Sequence, residues 1–234
     1  MKKKNVAFII PAYNEESSIS KVIVDINRHA KGKYSYEVVV VDDGSKDNTA
    51  VVASKAGVKV IKHILNSGSG SATATGLSYA EQQNFDIAVT MDADGQHHAH
   101  DAIRGINLIQ KNQADLLIGS RLIDSQGMSR VKILGNKGLS YITYILFGIN
   151  VTDSQSGLRI FSKNALDNLK WKTSGYEFCS EMLWRAKQQH LDIQEYPIKA
   201  IYTEYSISKG QNNWNAYNIL KLLLKQRVVE FFSE

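Results

Sequence analysis

The sequence is short of the residues that staple, stiffen or anchor a chain. It has one cysteine, Cys179. That excludes a disulfide framework and a multi-cysteine zinc site, and it fits a reducing, cytoplasmic setting. It has two prolines, Pro11 and Pro197, and 16 glycines, too few for a collagen-like or proline-rich chain. The longest nearly continuous apolar stretch is 141–149, well under the ~20 residues a membrane-spanning helix needs. The Met-Lys-Lys-Lys start runs into a short apolar segment ended by Pro11, so no signal peptide is expected. What remains is ordinary globular material. The 234 residues, 43% hydrophobic and 22% charged, suffice for one large domain that buries about 70% of its unfolded surface. The net charge of +5 suits nucleotides, lipid head groups or nucleic acid and selects none of them. No arginine-rich stripe or nucleic-acid module accompanies it, so nucleic acid is not an expected partner.

Apolar runs and amphipathic stretches alternate through the first half. Strands are expected at 5–10, 36–41, 58–62, 86–91 and 115–119, and helices at 15–30, 47–56, 70–83 and 101–111. Asn14 is a candidate cap for the first helix, with Glu15 and Glu16 in its first turn. Strand-helix alternation predicts an α/β fold with a mostly parallel sheet covered on both faces. The second half is expected to hold helices at 136–148 and 177–190, loop then strand over 153–161, and a last strand from Tyr196 through Tyr202. A basic, apolar helix is expected at 214–232. The change of character near residue 122 reads as a seam inside one domain.

Ligands of such sheets sit at the carboxyl ends of the strands. Here those ends carry Pro11-Ala-Tyr-Asn-Glu15, Asp42-Asp-Gly-Ser45, Asp92-Ala-Asp94 and Gly119-Ser-Arg121. Asp92 and Asp94, one residue apart, repel unless a hard cation lies between them. The competing reading is a solvated turn. Asp42 and Asp43 suit a nucleoside or an Asx-turn. The glycine-rich stretch 66–76 has Thr73 where a dinucleotide fingerprint needs its third glycine, and it has no Walker lysine. It either offers amides to a phosphate or packs a helix tightly. Among Arg121, Arg130, Lys132, Lys137 and Arg159, Arg121 and Arg159 are the better phosphate candidates. Cys179 reads as a small buried residue. The spacing of His97, His98 and His100 is not a zinc spacing.

Taken together, Ile9-Ile-Pro-Ala-Tyr-Asn-Glu-Glu16, Val39-Val-Val-Asp-Asp-Gly-Ser45, Met91-Asp-Ala-Asp-Gly-Gln96 and Gly119-Ser-Arg121 resemble inverting family 2 glycosyltransferases of the GT-A fold. Asp153-Ser-Gln-Ser-Gly-Leu-Arg159 and Tyr176-Glu-Phe-Cys-Ser-Glu181 resemble the dolichyl-phosphate mannosyltransferase-like branch. That branch moves a sugar from a nucleotide sugar to a polyprenyl phosphate. The resemblance implies one GT-A domain over 1–210, with a nucleotide-sugar half (1–121) and an acceptor half (122–210), and an amphipathic helix over 211–234. It implies that Pro11, Ala12, Tyr13, Glu15, Asp43, Asp92, Ala93 and Lys209 bind the UDP- or GDP-linked sugar. Asp92, Asp94 and Gln96 would hold Mg2+ or Mn2+. Arg121, Arg130 and Arg159 would meet the acceptor phosphate, and Ser208 and Lys209 would close over the diphosphate. Asp94, Arg121 and Asp153 would be catalytic, with Asp153 the candidate base for a sugar hydroxyl. Where the family commonly has lysine, this chain has Ser69. The expected function is metal-dependent hexosyl transfer in cell-envelope glycan synthesis, at the cytoplasmic face with peripheral membrane contact. The alternatives are transfer to a glycan or polysaccharide, or a non-catalytic nucleotide-binding module.

Overall fold

Valine and isoleucine runs without alternation form strands buried on both faces, and here they stack into one sheet. The computed structural model describes residues 3–126, 128–199 and 201. The strands are β1 (Asn5–Ala12), β2 (Ser35–Asp42), β3 (Lys59–Lys62), β4 (Ile87–Thr90), β5 (Leu116–Ser120), β6 (Arg159–Ser162) and β7 (Ile193–Pro197). The helices are α1 (Ile19–Ala30), α2 (Thr49–Lys55), α3 (Ser69–Gln82), α4 (Ala99–Asn112), α5 (Arg130–Phe147), α6 (Lys163–Asn168) and α7 (Phe178–Gln188). The strand order is β3-β2-β1-β4-β6-β5-β7. β6 runs antiparallel to both of its neighbours, and the other pairs are parallel. A strand of the second half thus lies between two strands of the first, so both halves share one sheet.

Two cores flank the sheet. Phe8, Ile10, Val38 and Val40 meet Ile19, Ile23 and Ile26 of α1 and Ile103 and Ile106 of α4. Ile9, Val39 and Val41, pointing the other way as strand alternation requires, meet α3, Leu139 of α5 and Met182 and Leu183 of α7. α3 lies flush against β1, because a methyl group on Gly76 would overlap the Ile9 side chain.

Register decides where the site forms. Ala12 pairs with Asp42, and the Asp43 N–H donates to the Ala12 carbonyl at 2.8 Å. Ile9 pairs with Thr90, so β4 ends three residues short of the end of β1 at Ala12, and Met91–Asp94 run on beside the last residues of β1. The chain winds outward from β1 through β2 to β3, then returns from β3 to place β4 on the other side of β1. The crevice between β1 and β4 is therefore the topological switch point where such sheets bind ligands.

Two helix starts differ from expectation. The first helix begins at Ile19 rather than Glu15. Asn14 adopts φ 54, and the Glu15 N–H donates to Thr49 Oγ1 at 2.7 Å. These tertiary bonds hold 14–18 as a turn at the mouth of the crevice. The fifth helix begins at Arg130, six residues before the expected 136, because the Ser129 hydroxyl caps it by accepting from Lys132 N. Among the described residues the last strand is Ile193–Pro197, which begins three residues before the expected Tyr196; Tyr202, the expected end, lies outside them. The expected helix at 214–232, Lys209 and Ser208 lie outside the described residues.

Candidate active site

The carboxyl ends of β1, β2, β4 and β5 open into one cavity of about 620 Å3. Pro11, Ala12, Tyr13, Asn14 and Glu15 line it after β1, Asp43 after β2, Asp92, Ala93, Asp94 and Gln96 after β4, and Arg121 after β5. The sequence-expected residues on these four strand ends therefore converge. Asn66, Gly68 and Ser69 line one wall, Val131, Lys132, Gly135 and Asn136 of α5 another, and Gln155 and Tyr176 a third.

Charge in this cavity is unbalanced. Its described lining holds four carboxylates, Glu15, Asp43, Asp92 and Asp94, and two cations, Arg121 and Lys132. Burial raises the Asp92 pKa, partly offset by Arg121 and Arg159, with Glu15 and Asp153 pushing it up further. Burial and then the Asp92 charge raise Asp94, and hydrogen bonds from Gln96 pull it back. Gln96 gives its backbone N–H to Asp94 Oδ1 at 3.0 Å and its amide to Oδ2 at 2.5 Å. Two neighbouring acids held above the ordinary carboxylate range, with a side-chain amide beside them, suit a hard divalent cation. Such a cation takes one or two protein carboxylates and completes its shell with water and phosphate oxygens. Among the described residues no three His, Cys, Asp or Glu side chains gather as a larger ligand set.

His97 is buried beneath this pair. Its Nδ1 lies 3.5 Å from Asp92 Oδ2, and burial holds its pKa down to about 4. His98 and His100 are exposed.

The cations expected to meet acceptor phosphate separate into three environments. Arg121 lines the cavity, with Nε 2.7 Å from Asp153 Oδ2 and Nη2 2.8 Å from Oδ1. Arg130, the first residue of α5, is exposed and outside the described lining; Lys132, two residues on, takes that place. Arg159 is 2% exposed. It donates to the Ser156 and Ser154 carbonyls at 3.0 and 2.7 Å and stacks on Phe178. Arg159 thus buckles the loop that carries Asp153 and does not reach the cavity. Asp153 is fully buried. Both its oxygens face Arg121, its N–H donates to Glu195 at 3.1 Å, and it is absent from the described lining. A base open to an acceptor hydroxyl is not what this geometry provides. Asp153 holds Arg121.

The Ser156-Gly157-Leu158 segment passes under the acidic pair. Thr90 Oγ1 donates to the Gly157 carbonyl at 2.9 Å, and a methyl group on Gly157 would overlap the Asp92 carboxylate. Gly157→Ala should therefore displace Asp92, lower turnover at least about tenfold and cost about 1–3 kcal/mol of stability. Wild-type turnover and an unchanged denaturation midpoint in that variant would refute this packing.

The glycine-rich segment resolves toward packing. The N–H groups of Gly70 and Ser71 donate to the Ser174 carbonyl at 2.7 and 3.3 Å, and a methyl on Gly70 would crowd Thr173 and Phe178. The Gly70 and Ser71 amides in the first turn of α3 are thus occupied by protein. Sequence reasoning missed Asn66, Gln155 and Asn136 in the lining, and Glu195 behind Asp153. The pairing of Ile118 with Glu195 across β5 and β7 brings that glutamate to the site, and no local pattern announces it.

The model of the family described as Glycosyl transferase family 2 matches residues 7–170. A UDP-N-acetylglucosamine–dolichyl-phosphate N-acetylglucosaminyltransferase of Methanococcus voltae is 42% identical, over 96% of this chain and 96% of its own length. An undecaprenyl-phosphate mannosyltransferase of Micrococcus luteus is 30% identical over 87% of this chain and 86% of its own. Among solved structures, glucosyl-3-phosphoglycerate synthase from Mycobacterium tuberculosis superposes with a TM-score of 0.73 at 21% identity, covering 97% of this chain and 79% of that one.

Proposed function

We propose a function from one premise: the chain belongs to glycosyl transferase family 2, and its fold is of the GT-A type. It is a glycosyltransferase that moves a sugar from a nucleoside-diphosphate sugar to a polyprenyl phosphate. The observation that carries this reading is the convergence of Pro11–Glu15, Asp43, Asp92, Asp94, Gln96 and Arg121 on one cavity at the switch point. The relatives named for dolichyl-phosphate and undecaprenyl-phosphate transfer, matched along nearly their whole length, support the acceptor.

The nucleoside rests between the Pro11–Glu15 turn and Asp43. Asp94 and Gln96, with Asp92, would hold Mg2+ or Mn2+. When bound, the cation offsets the negative charge that grows on the departing diphosphate. Lys132 reaches the same cavity from α5 and adds positive charge there. Arg121 presents its guanidinium to the acceptor phosphate from a seat fixed by Asp153, so no reorganisation is needed as charge shifts. A phosphate nucleophile is already ionised at neutral pH. The reaction then needs no strong general base, in keeping with an Asp153 that is locked away.

The lipid acceptor has a matching surface. Among the described residues no helix is long and apolar enough to cross a membrane. α5 instead exposes Val131, Leu134, Tyr141, Tyr144 and Ile145, with Arg130 and Lys137 exposed beside them. Its first turns also wall the cavity. This face lies on the membrane interface, where apolar contact and about 1 kcal/mol per cation near anionic lipid act together. Leu134→Asp combined with Tyr141→Asp should reduce flotation with anionic liposomes in low salt at least about tenfold. Failure of the wild-type protein to float would contradict the docking surface.

Acceptor choice is tested by release of nucleoside diphosphate with polyprenyl phosphate, with a sugar acceptor, and with water alone. Stimulation by the lipid phosphate alone is the expected result. Stimulation by the sugar alone would replace the lipid reading with a glycan acceptor.

A further inference from the structure

Asp43 is held by more contacts than its place in a strand-end turn requires. Ser67 N–H donates to Oδ1 at 2.9 Å and Gly68 N–H to Oδ2 at 2.8 Å. His63 Nδ1 lies 2.7 Å from Oδ1. A carboxylate has about four lone-pair sites. Among the described residues three are engaged, two on Oδ1 and one on Oδ2. The remaining site belongs to Oδ2, and Asp43 lines the cavity.

His63 is itself fixed from behind. Its Nε2 lies 3.0 Å from Thr75 Oγ1 on α3. Facing a carboxylate, Nδ1 carries the proton, and in the neutral ring Nε2 accepts the threonine hydroxyl. Asp43, which can only accept, thus sets the tautomer, and the Thr75 hydroxyl, donating to Nε2, holds the ring in place from the other side. The loop after β3 cannot drift independently of this chain of contacts. Gly44, at φ +69, lets the Leu65 and Asn66 backbone approach so closely that a methyl on Gly44 would come within 2.6 Å of Leu65 C. Asn66 and Gly68 of that loop line the cavity beside Asp43.

We infer that His63, fixed by Thr75, is a positioning residue that aims Asp43 Oδ2 at an N–H on the edge of the nucleotide base. The inference rests on the proposed nucleoside role of Asp43 and adds the means by which that carboxylate selects the base. Uracil presents N3–H and guanine N1–H to such an acceptor. At that position cytosine presents a bare N3, which a carboxylate repels, and its edge donors are displaced to the N4 amine. The Asp43–His63–Thr75 chain therefore selects uridine or guanosine diphosphates against cytidine diphosphate. If the chain is broken, Asp43 can rotate and the selection is lost.

The test is calorimetric titration of the full chain with UDP, GDP and CDP in the presence of Mg2+. His63→Ala and Thr75→Val should each weaken the preferred nucleotide about tenfold and compress its preference over CDP by a similar factor. Thr75→Ser, which keeps the hydroxyl, should retain both. Should His63→Ala fail to fold, the comparison of Thr75→Val with Thr75→Ser decides. Variants with a lowered melting temperature but an unchanged preference over CDP would show a purely structural contact and overturn the inference. Asp43→Asn separates the two levels. If it loses nucleotide affinity while the His63 and Thr75 variants do not, the inference alone is overturned. If Asp43→Asn binds as the wild type does, the nucleoside role of Asp43 fails and the inference falls with it.

Discussion

Asp94→Asn should reduce sugar transfer by about a thousandfold or more, while leaving the protein as stable as the wild type or more so in the absence of divalent cation. The two halves of this result have one cause. Asp94 sits beside Asp92 in a cavity where burial raises both carboxyls, and the Asp92 charge raises Asp94 further. A carboxyl whose folded pKa exceeds its unfolded value contributes most below the unfolded pKa, and that contribution is lost as pH rises through the folded pKa. At neutral pH the ionised pair therefore costs stability, and neutralising one member relieves it. The same substitution removes the charge that would hold the cation against the diphosphate, so stability and activity move in opposite directions. Denaturant midpoints and initial rates measured on one preparation check both. A variant that keeps more than about a tenth of wild-type turnover would remove Asp94 from the metal-holding role.

Asp153→Asn should do the reverse and lose stability first. Burial alone would raise the Asp153 pKa, but the Arg121 charge and its hydrogen bonds outweigh burial and hold it below the ordinary carboxylate range. Arg121 is only 11% exposed at its side chain. Leaving it without a counter-charge costs about 3–5 kcal/mol, by analogy with other broken buried pairs. Because the folded pKa is depressed, this contribution is fully present above the unfolded pKa of about 3.9 and disappears as pH falls through the folded value. The stability gap between wild type and variant should thus narrow below about pH 4. Transfer should weaken mainly through KM for the acceptor phosphate, as the guanidinium loses its fixed seat, with no change in the shape of the pH–rate profile near neutrality. A variant of wild-type stability that loses the acid limb of that profile would restore Asp153 as a base.

The donor side of the site was legible because it is local. Each motif sits within a few residues of a strand end, and in a parallel sheet those ends share one edge by construction. The polar strand ends are read from local spacing and their roles from the family resemblance, and Pro11–Glu15, Asp43, Asp92, Ala93, Asp94 and Gln96 line the cavity. The acceptor side depends on contacts far apart in sequence, which no local motif announces. Arg159 looked like a phosphate ligand because it is an arginine in a distinctive motif, yet its donors go to the carbonyls of Ser154 and Ser156. Asp153 looked like a base because nothing in its neighbours announces Arg121, 32 residues earlier. Lys132 was passed over as one charge among several. Only the early start of α5, set by the Ser129 cap, brings it to the cavity wall. The α1 boundary failed for a related reason. Asn14 and the acids after it looked like a helix start, while Ser45 and Thr49 on the next crossover recruit 14–15 into the turn that borders the nucleoside.

The measurement that tests the account most directly is mass spectrometry of the lipid fraction after incubation with Mg2+ or Mn2+, undecaprenyl phosphate in detergent, and a panel of UDP- and GDP-linked sugars. The account predicts a glycosylated lipid phosphate with one class of donor, absent with Asp94→Asn and absent when the cation is chelated. Consumption of a nucleotide sugar with no sugar ever appearing on the lipid phosphate would contradict it.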